Sequence, residues 1–105
     1  MSDPKRGEVW LADLGMAGKV RPVLAISVPY GDQDYALVTV VPHTTSNRGA
    51  QFEVSVQVPF LQAGAFNVQG MLGVPAAKFI RRLGSLETDQ VRQVEETVRH
   101  WLGLV

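Results

Sequence analysis

The residues in this chain that could do chemistry together are Arg21, His43 and the run Thr44-Thr45-Ser46-Asn47. Their spacing brings them to one place. Pro22–Val28 and Tyr35–Val41 are apolar, strand-forming runs, and Pro29-Tyr-Gly-Asp-Gln-Asp34 between them is dense in turn residues. A hairpin centred near residue 31 or 32 sets Arg21 opposite Pro42–Thr44, within a residue or two. Arg21 precedes a proline, which favours an extended backbone at the strand entrance. An arginine, an imidazole and a cluster of hydroxyl and amide groups thus meet at one end of a sheet, where loops commonly carry sites. Arg48, and Lys19 in the glycine-containing loop before Val20, can reach the same end.

A guanidinium stays charged and donates two parallel hydrogen bonds, so a phosphate is its natural partner. RNA brings its own nucleophile, the 2′-hydroxyl, which attacks the adjacent phosphate. A protein need only align that attack, stabilise the added charge on the phosphate oxygens and help move protons. DNA lacks the hydroxyl and would be spared. Other chemistries find no support. The chain has no cysteine, which excludes disulfides, thiolate metal sites and thiol catalysis. Its two histidines, His43 and His100, lie far apart and its carboxylates are scattered, so neither metal nor cofactor is expected. No serine stands in a nucleophile elbow, and no P-loop or dinucleotide glycine motif occurs.

These groups need a scaffold, and the pattern supplies one. Glu8–Asp13 reads as a first strand, with Val9 and Leu11 on one face and Trp10 on the other. A loop at Gly15–Gly18 leads into the hairpin described above. Gln51–Val58 alternates without a fault, Phe52, Val54, Val56 and Val58 against Gln51, Glu53, Ser55 and Gln57. Two shorter strands are expected near Ala65–Gln69 and Lys78–Leu83, separated by Gly70, Gly73 and Pro75. From about Glu87 the period turns helical through Val91, Val94, Val98, Trp101 and Leu102, and Gly103 is a natural stop. Many short antiparallel strands and one terminal helix predict a mainly β fold, a strongly curved antiparallel sheet or barrel with the helix packed on one side.

Composition sets the bounds. The 105 residues suit one domain, 1–105, with 46% apolar and 19% charged residues. Ten basic residues balance ten acidic ones, so any nucleic-acid contact must come from local placement of Lys19, Arg21, Arg48, Lys78, Arg81 and Arg82. Lys78, Arg81 and Arg82 read as an exposed strand face or a dimer edge. Met1–Glu8 has no signal-peptide core, and no run approaches about 18 apolar residues. A cytoplasmic protein without a membrane partner is expected.

Three stretches, Lys5-Arg-Gly-Glu-Val-Trp-Leu-Ala-Asp-Leu14, Arg21-Pro-Val-Leu-Ala-Ile-Ser27 and Val41-Pro-His-Thr-Thr-Ser46, resemble the PemK/MazF family of toxin–antitoxin endoribonucleases. So do Phe66-Asn-Val-Gln-Gly70, Arg81-Arg-Leu-Gly-Ser-Leu86 and the helix ending in Leu102-Gly-Leu104. The resemblance spans nearly the whole chain in order. It implies an SH3-like barrel of the PemK/MazF/CcdB-like type with a C-terminal helix, formed as a homodimer. It implies metal-independent cleavage of single-stranded RNA, often mRNA, leaving 2′,3′-cyclic phosphate and 5′-hydroxyl ends. By the same carry-over Arg21 neutralises the scissile phosphate, Thr44 orients it, and Gln69 matches a glutamine of the RNA groove. Lys19, Thr45, Ser46, Asn47 and Arg48 are the further RNA-contact candidates. The implied partner is a small antitoxin whose flexible segment fills the groove, with DNA met only through that antitoxin.

One departure stands out. Many relatives carry a longer first loop with a glutamate, whereas Gly15–Lys19 has none. The general base is therefore open: His43, whose unperturbed imidazole titrates at about pH 6.5, or no separate base, with Arg21 sufficing. Two other function classes compete with the nuclease. One is a same-fold toxin acting on a protein target such as DNA gyrase; the other is a plain SH3-like binding module.

Overall fold

Strand alternation decides which side chains leave water. In the computed structural model, which describes residues 3–15 and 19–104, β1 (Glu8–Asp13) sends Val9 one way and Trp10 and Ala12 the other. Strand β2 (Val20–Ala25) divides Leu24 from Val23 and Ala25, and β3 (Leu37–Thr44) divides Val41 from Val38 and Val40. Both sets are buried. One core gathers Val9, Leu24, Val41, Phe66, Val68, Val91 and Val94, and the other Trp10, Val23, Val40, Val74 and Phe79. Each fully buried valine or leucine contributes about 1.5–3 kcal/mol. Burial on both faces explains why the central strands read as continuous apolar runs. Of the loop expected at Gly15–Gly18, residues 16–18 lie outside the described residues.

The remaining strands are β4 (Glu53–Val54), β5 (Ala65–Asn67), β6 (Leu72–Pro75) and β7 (Phe79–Ser85). The antiparallel order is β4-β5-β3-β2-β1-β7, with β6 also pairing β3. Strand β3 pairs β6 over Leu37–Val40 and β5 at His43 and Thr44. Val68–Gly70 makes a single 3₁₀ turn between those partners. Pro42, which has no N–H to give a ladder, sits in β3 at that break. The outer strands β4 and β7 do not pair among the described residues, so the expected barrel is a strongly curved sheet left open at its edge.

Some boundaries differ from the sequence reading. Phe52, Val54, Val56 and Val58 all pack on the first core as the alternation requires. Only Glu53–Val54 joins a ladder, however, because its partner β5 is three residues long. Leu72–Pro75 forms a strand despite Gly73 and Pro75; it pairs along one side only, where a proline is tolerated.

Helix α1 (Thr88–Leu102) covers the first core with Val91, Val94 and Val98, while Trp101 and Leu102 stay exposed. Its first turn is closed by the Glu87 N–H donating to Gln90 Oε1 at 2.9 Å. Gly103 ends it in the left-handed region at φ +72°, where the Leu104 N–H reaches the Arg99 carbonyl at 2.8 Å. An Arg6–Glu95 ion pair ties the helix to the start of the chain. No helix among the described residues is long and apolar enough to cross a membrane.

Candidate active site

The hairpin register sets the site. Val23 lies opposite Pro42 and Leu24 opposite Val41, so two residues further along Arg21 comes level with Thr44. Both open onto a groove of about 670 Å³. Seven of the residues singled out in the sequence line it: Lys19, Arg21, His43, Thr44, Ser46, Arg48 and Gln69. Leu14, Glu53, Asn67 and Leu72 join them.

Each side chain is placed by local backbone chemistry. Arg21 enters β2 opposite Ala12, and its guanidinium has no ion pair or hydrogen bond among the described residues. Thr44 Oγ1 accepts the Ser46 N–H at 3.1 Å, which leaves the hydroxyl proton free to donate into the groove. Lys19 is fixed by its carbonyl, which accepts the Leu14 N–H at 2.9 Å. Arg48 is held by Glu53, whose Oε1 accepts the N–H groups of Ala50 and Arg48, each at 2.9 Å, around a left-handed Gly49 at φ +70°. The bond from Ala50, with that from Arg48, holds the Glu53 carboxyl below the usual carboxylate range. Gln69 stays exposed on the 3₁₀ turn, which can approach β3 because a Cβ at Gly70 would meet the Pro42 ring at 3.1 Å.

His43 is the buried member. It is 3% exposed, its Nε2 has no hydrogen-bond partner among the described residues, and its ring meets Phe66 edge-on with centroids 5.1 Å apart. Burial pushes its pKa below the ordinary 6.5, so the imidazole is neutral at pH 7. The unfolded chain therefore takes up this proton before the folded one. Stability is full above about pH 6.5 and falls as the pH drops below it. Glu8 and Glu53, with carboxyls lowered from 4.5, lose their contribution only at lower pH. Denaturant midpoints measured from pH 7.5 to 5 should show this decline, and His43→Gln should flatten it.

Gly64 lets the start of β5 lie close against the end of β3. A Cβ there would run into the Thr44 carbonyl and come within 2.9 Å of His43 Cε1. Gly64→Ala must push the start of β5 off the end of β3. We expect a loss of about 1–3 kcal/mol in chemical denaturation, together with reduced activity, because Thr44 moves with the strand.

Two expected site residues lie elsewhere. Thr45 lines the neighbouring depression beyond Arg21, and Asn47 a hollow of about 810 Å³ running past Ser55 and Gln57. Three residues near the site were not assigned from sequence. Glu53 stood on the wet face of the alternating run, Asn67 within the Phe66–Gly70 stretch, and Arg81 on what read as an exposed face or dimer edge. Arg81 lines the depression that it shares with Lys19 and Arg21, whereas its neighbour Arg82 is paired to Glu8 at 3.1 Å. Among the described residues no group of three His, Asp or Glu side chains comes together as a metal site.

The family model for the PemK-like, MazF-like toxin of type II toxin–antitoxin systems matches residues 5–102. This chain belongs to that family. Among PemK/MazF relatives, the probable endoribonuclease MazF5 of Mycobacterium tuberculosis is 31% identical over 94 residues, covering 87% of this chain and 85% of the relative. The fold agrees as closely. An endoribonuclease in complex with its cognate antitoxin, from a mycobacterial species, superposes with a TM-score of 0.83 at 24% identity over 97% of each chain. The Mycobacterium tuberculosis toxin MazF-mt6 does so with 0.79 at 27% identity, over 93% of this chain and 98% of its own.

Proposed function

We propose that this PemK/MazF-family chain is the toxin of a toxin–antitoxin pair, an endoribonuclease that cuts single-stranded RNA at preferred sequences without a metal ion. The observation that carries this reading is an Arg21 without an ion pair or hydrogen bond among the described residues, level with a Thr44 hydroxyl free to donate, at the head of one groove. The substrate's 2′-oxygen attacks the adjacent phosphorus and the bond to the 5′-oxygen breaks. The departing 5′-oxygen takes a proton from solvent, so a 2′,3′-cyclic phosphate and a 5′-hydroxyl result. Arg21 neutralises the phosphate oxygens as charge builds, and Thr44 donates to one of them. Lys19, Ser46, Arg48 and Gln69 hold the strand along the groove, and Thr45 and Asn47 meet it where it leaves. His43 is assigned the proton of the attacking hydroxyl. An acid limb in the pH–rate profile that disappears in His43→Gln supports that assignment; an unchanged profile leaves the proton to solvent and Arg21 sufficient.

The protein works in the cytoplasm as a homodimer, a small antitoxin fills the groove when cleavage must be off, and DNA is met only through that antitoxin. Neither a gyrase-directed toxin nor a plain binding module calls for an unpaired arginine beside a free hydroxyl. The test is a substrate with a single 2′-deoxyribonucleotide at the cut. Cleavage there should stop while other sites stay cut; cleavage at an undiminished rate would mean a different nucleophile.

A further inference from the structure

The groove does not end at Arg21. A second depression, of about 440 Å³, adjoins it and shares Lys19, Arg21 and His43 with the first. Its other cation is Arg81, which has no ion pair or hydrogen bond among the described residues. Among the described residues no carboxylate lines this depression, whereas the main groove holds Glu53. Phe60, Leu61 and Leu83 give the same depression an apolar wall. The wall is built in: Gly84 on β7 leaves the space into which the Phe60 ring packs, and a Cβ there would lie 2.5–2.8 Å from three ring carbons. Surface cations are common, but three without an ion pair among the described residues, in one depression with an aromatic and aliphatic wall, suit a ligand that is anionic at one end and flat and apolar at the other. Pockets of this size commonly take one small ligand.

We infer that this depression is a flanking-nucleotide subsite: Arg81 holds the phosphodiester next to the scissile one, and the Phe60–Leu61–Leu83 wall receives the adjoining base. The inference rests on the endoribonuclease reading and deepens it. A strand whose scissile phosphate sits on Arg21 must pass from one cavity into the other, because Arg21 lines both. The guanidinium of Arg81 grips the next phosphate, and an aromatic face gives any base a stacking surface with little regard to sequence. An acidic, aromatic peptide has related chemistry, but its carboxylates do not recur at the spacing of a nucleic-acid backbone, so RNA is the occupant argued.

The experiment compares a minimal RNA around one cut site with RNAs longer by one nucleotide on the 5′ or the 3′ side. For the wild type, one of the two extensions should raise kcat/KM about tenfold, the scale of one charge-assisted contact. That preference should vanish in Arg81→Ala, return in part in Arg81→Lys, and shrink when the added nucleotide is abasic. Binding of an uncuttable RNA carrying a 2′-deoxyribonucleotide at the cut should show a log–log salt slope flatter by about 0.7 in Arg81→Ala. Arg81 is exposed, so misfolding would be seen as a changed melting temperature and is not expected. A wild type that cuts none of these RNAs defeats the nuclease reading itself. A wild type that cuts all of them equally, or an extension preference that survives in Arg81→Ala, overturns the subsite alone. An Arg81→Ala effect confined to inhibition by an antitoxin peptide also overturns it and gives the depression to the peptide.

Discussion

Arg21→Ala should lower kcat/KM for RNA cleavage by about 10²–10³-fold, the typical cost of removing one donor aimed at developing charge. Its melting temperature should stay where it is. The two halves of this expectation have separate causes. In the folded chain the Arg21 guanidinium makes no ion pair or hydrogen bond among the described residues, so its removal costs the fold little. In the proposed reaction it is the group at the head of the groove that offers two parallel donors to a phosphate. Arg21→Lys keeps a charge and loses the fork, so it should fall between the two. The loss should appear mainly in kcat, because the other groove cations, Lys19 and Arg48, still hold the strand. A melting temperature that fell with the activity would instead make Arg21 a structural residue.

Phe66→Ala should cost about 3–5 kcal/mol, the range for emptying an aromatic site in a core. Against a total of about 5–15 kcal/mol for an ordinary domain this is a large fraction. Each lost kcal/mol lowers the melting temperature of a domain of this size by about 4–8 °C. Phe66 is fully buried in the first core and pairs with His43 across the ladder from β5 to β3. Its ring is also the edge-on neighbour of the imidazole. The cavity left behind opens beneath His43, so the variant should bring the His43 pKa back toward its ordinary value as water enters. Thermal unfolding gives the first quantity, and the histidine signals in an NMR titration give the second.

How much of this was legible in the sequence depends on the kind of signal. The helix was, because Val91, Val94 and Val98 recur on one face and Gly103 stops it in the conformation glycine favours. The meeting of Arg21 with Thr44 was also legible, since a hairpin's register follows from the two runs and the turn between them. Partner lengths were not. The alternation at Phe52–Val58 correctly said which side chains are buried, but burial does not reveal that β5 is too short to extend β4. Strand β6 was missed because Gly73 and Pro75 read as breakers, and pairing along a single side tolerates both. Within the site, Arg81 is the exposed strand residue that the sequence led one to expect, but its place beside Lys19 and Arg21 was not legible, because the pairing of β1 with β7 carries irregularities that alternation cannot anticipate. His43 was visible as a candidate, but its burial under the groove comes from contacts between strands distant in sequence.

The most direct test of the account is to incubate the purified protein with a long single-stranded RNA in EDTA and map the 5′ ends, with Arg21→Ala alongside. Discrete cuts ending in 5′-hydroxyl groups, present in the wild type and lost in the variant, are the expected result. RNA left intact while an active PemK/MazF relative cuts it, or cuts that persist undiminished in Arg21→Ala, would contradict it.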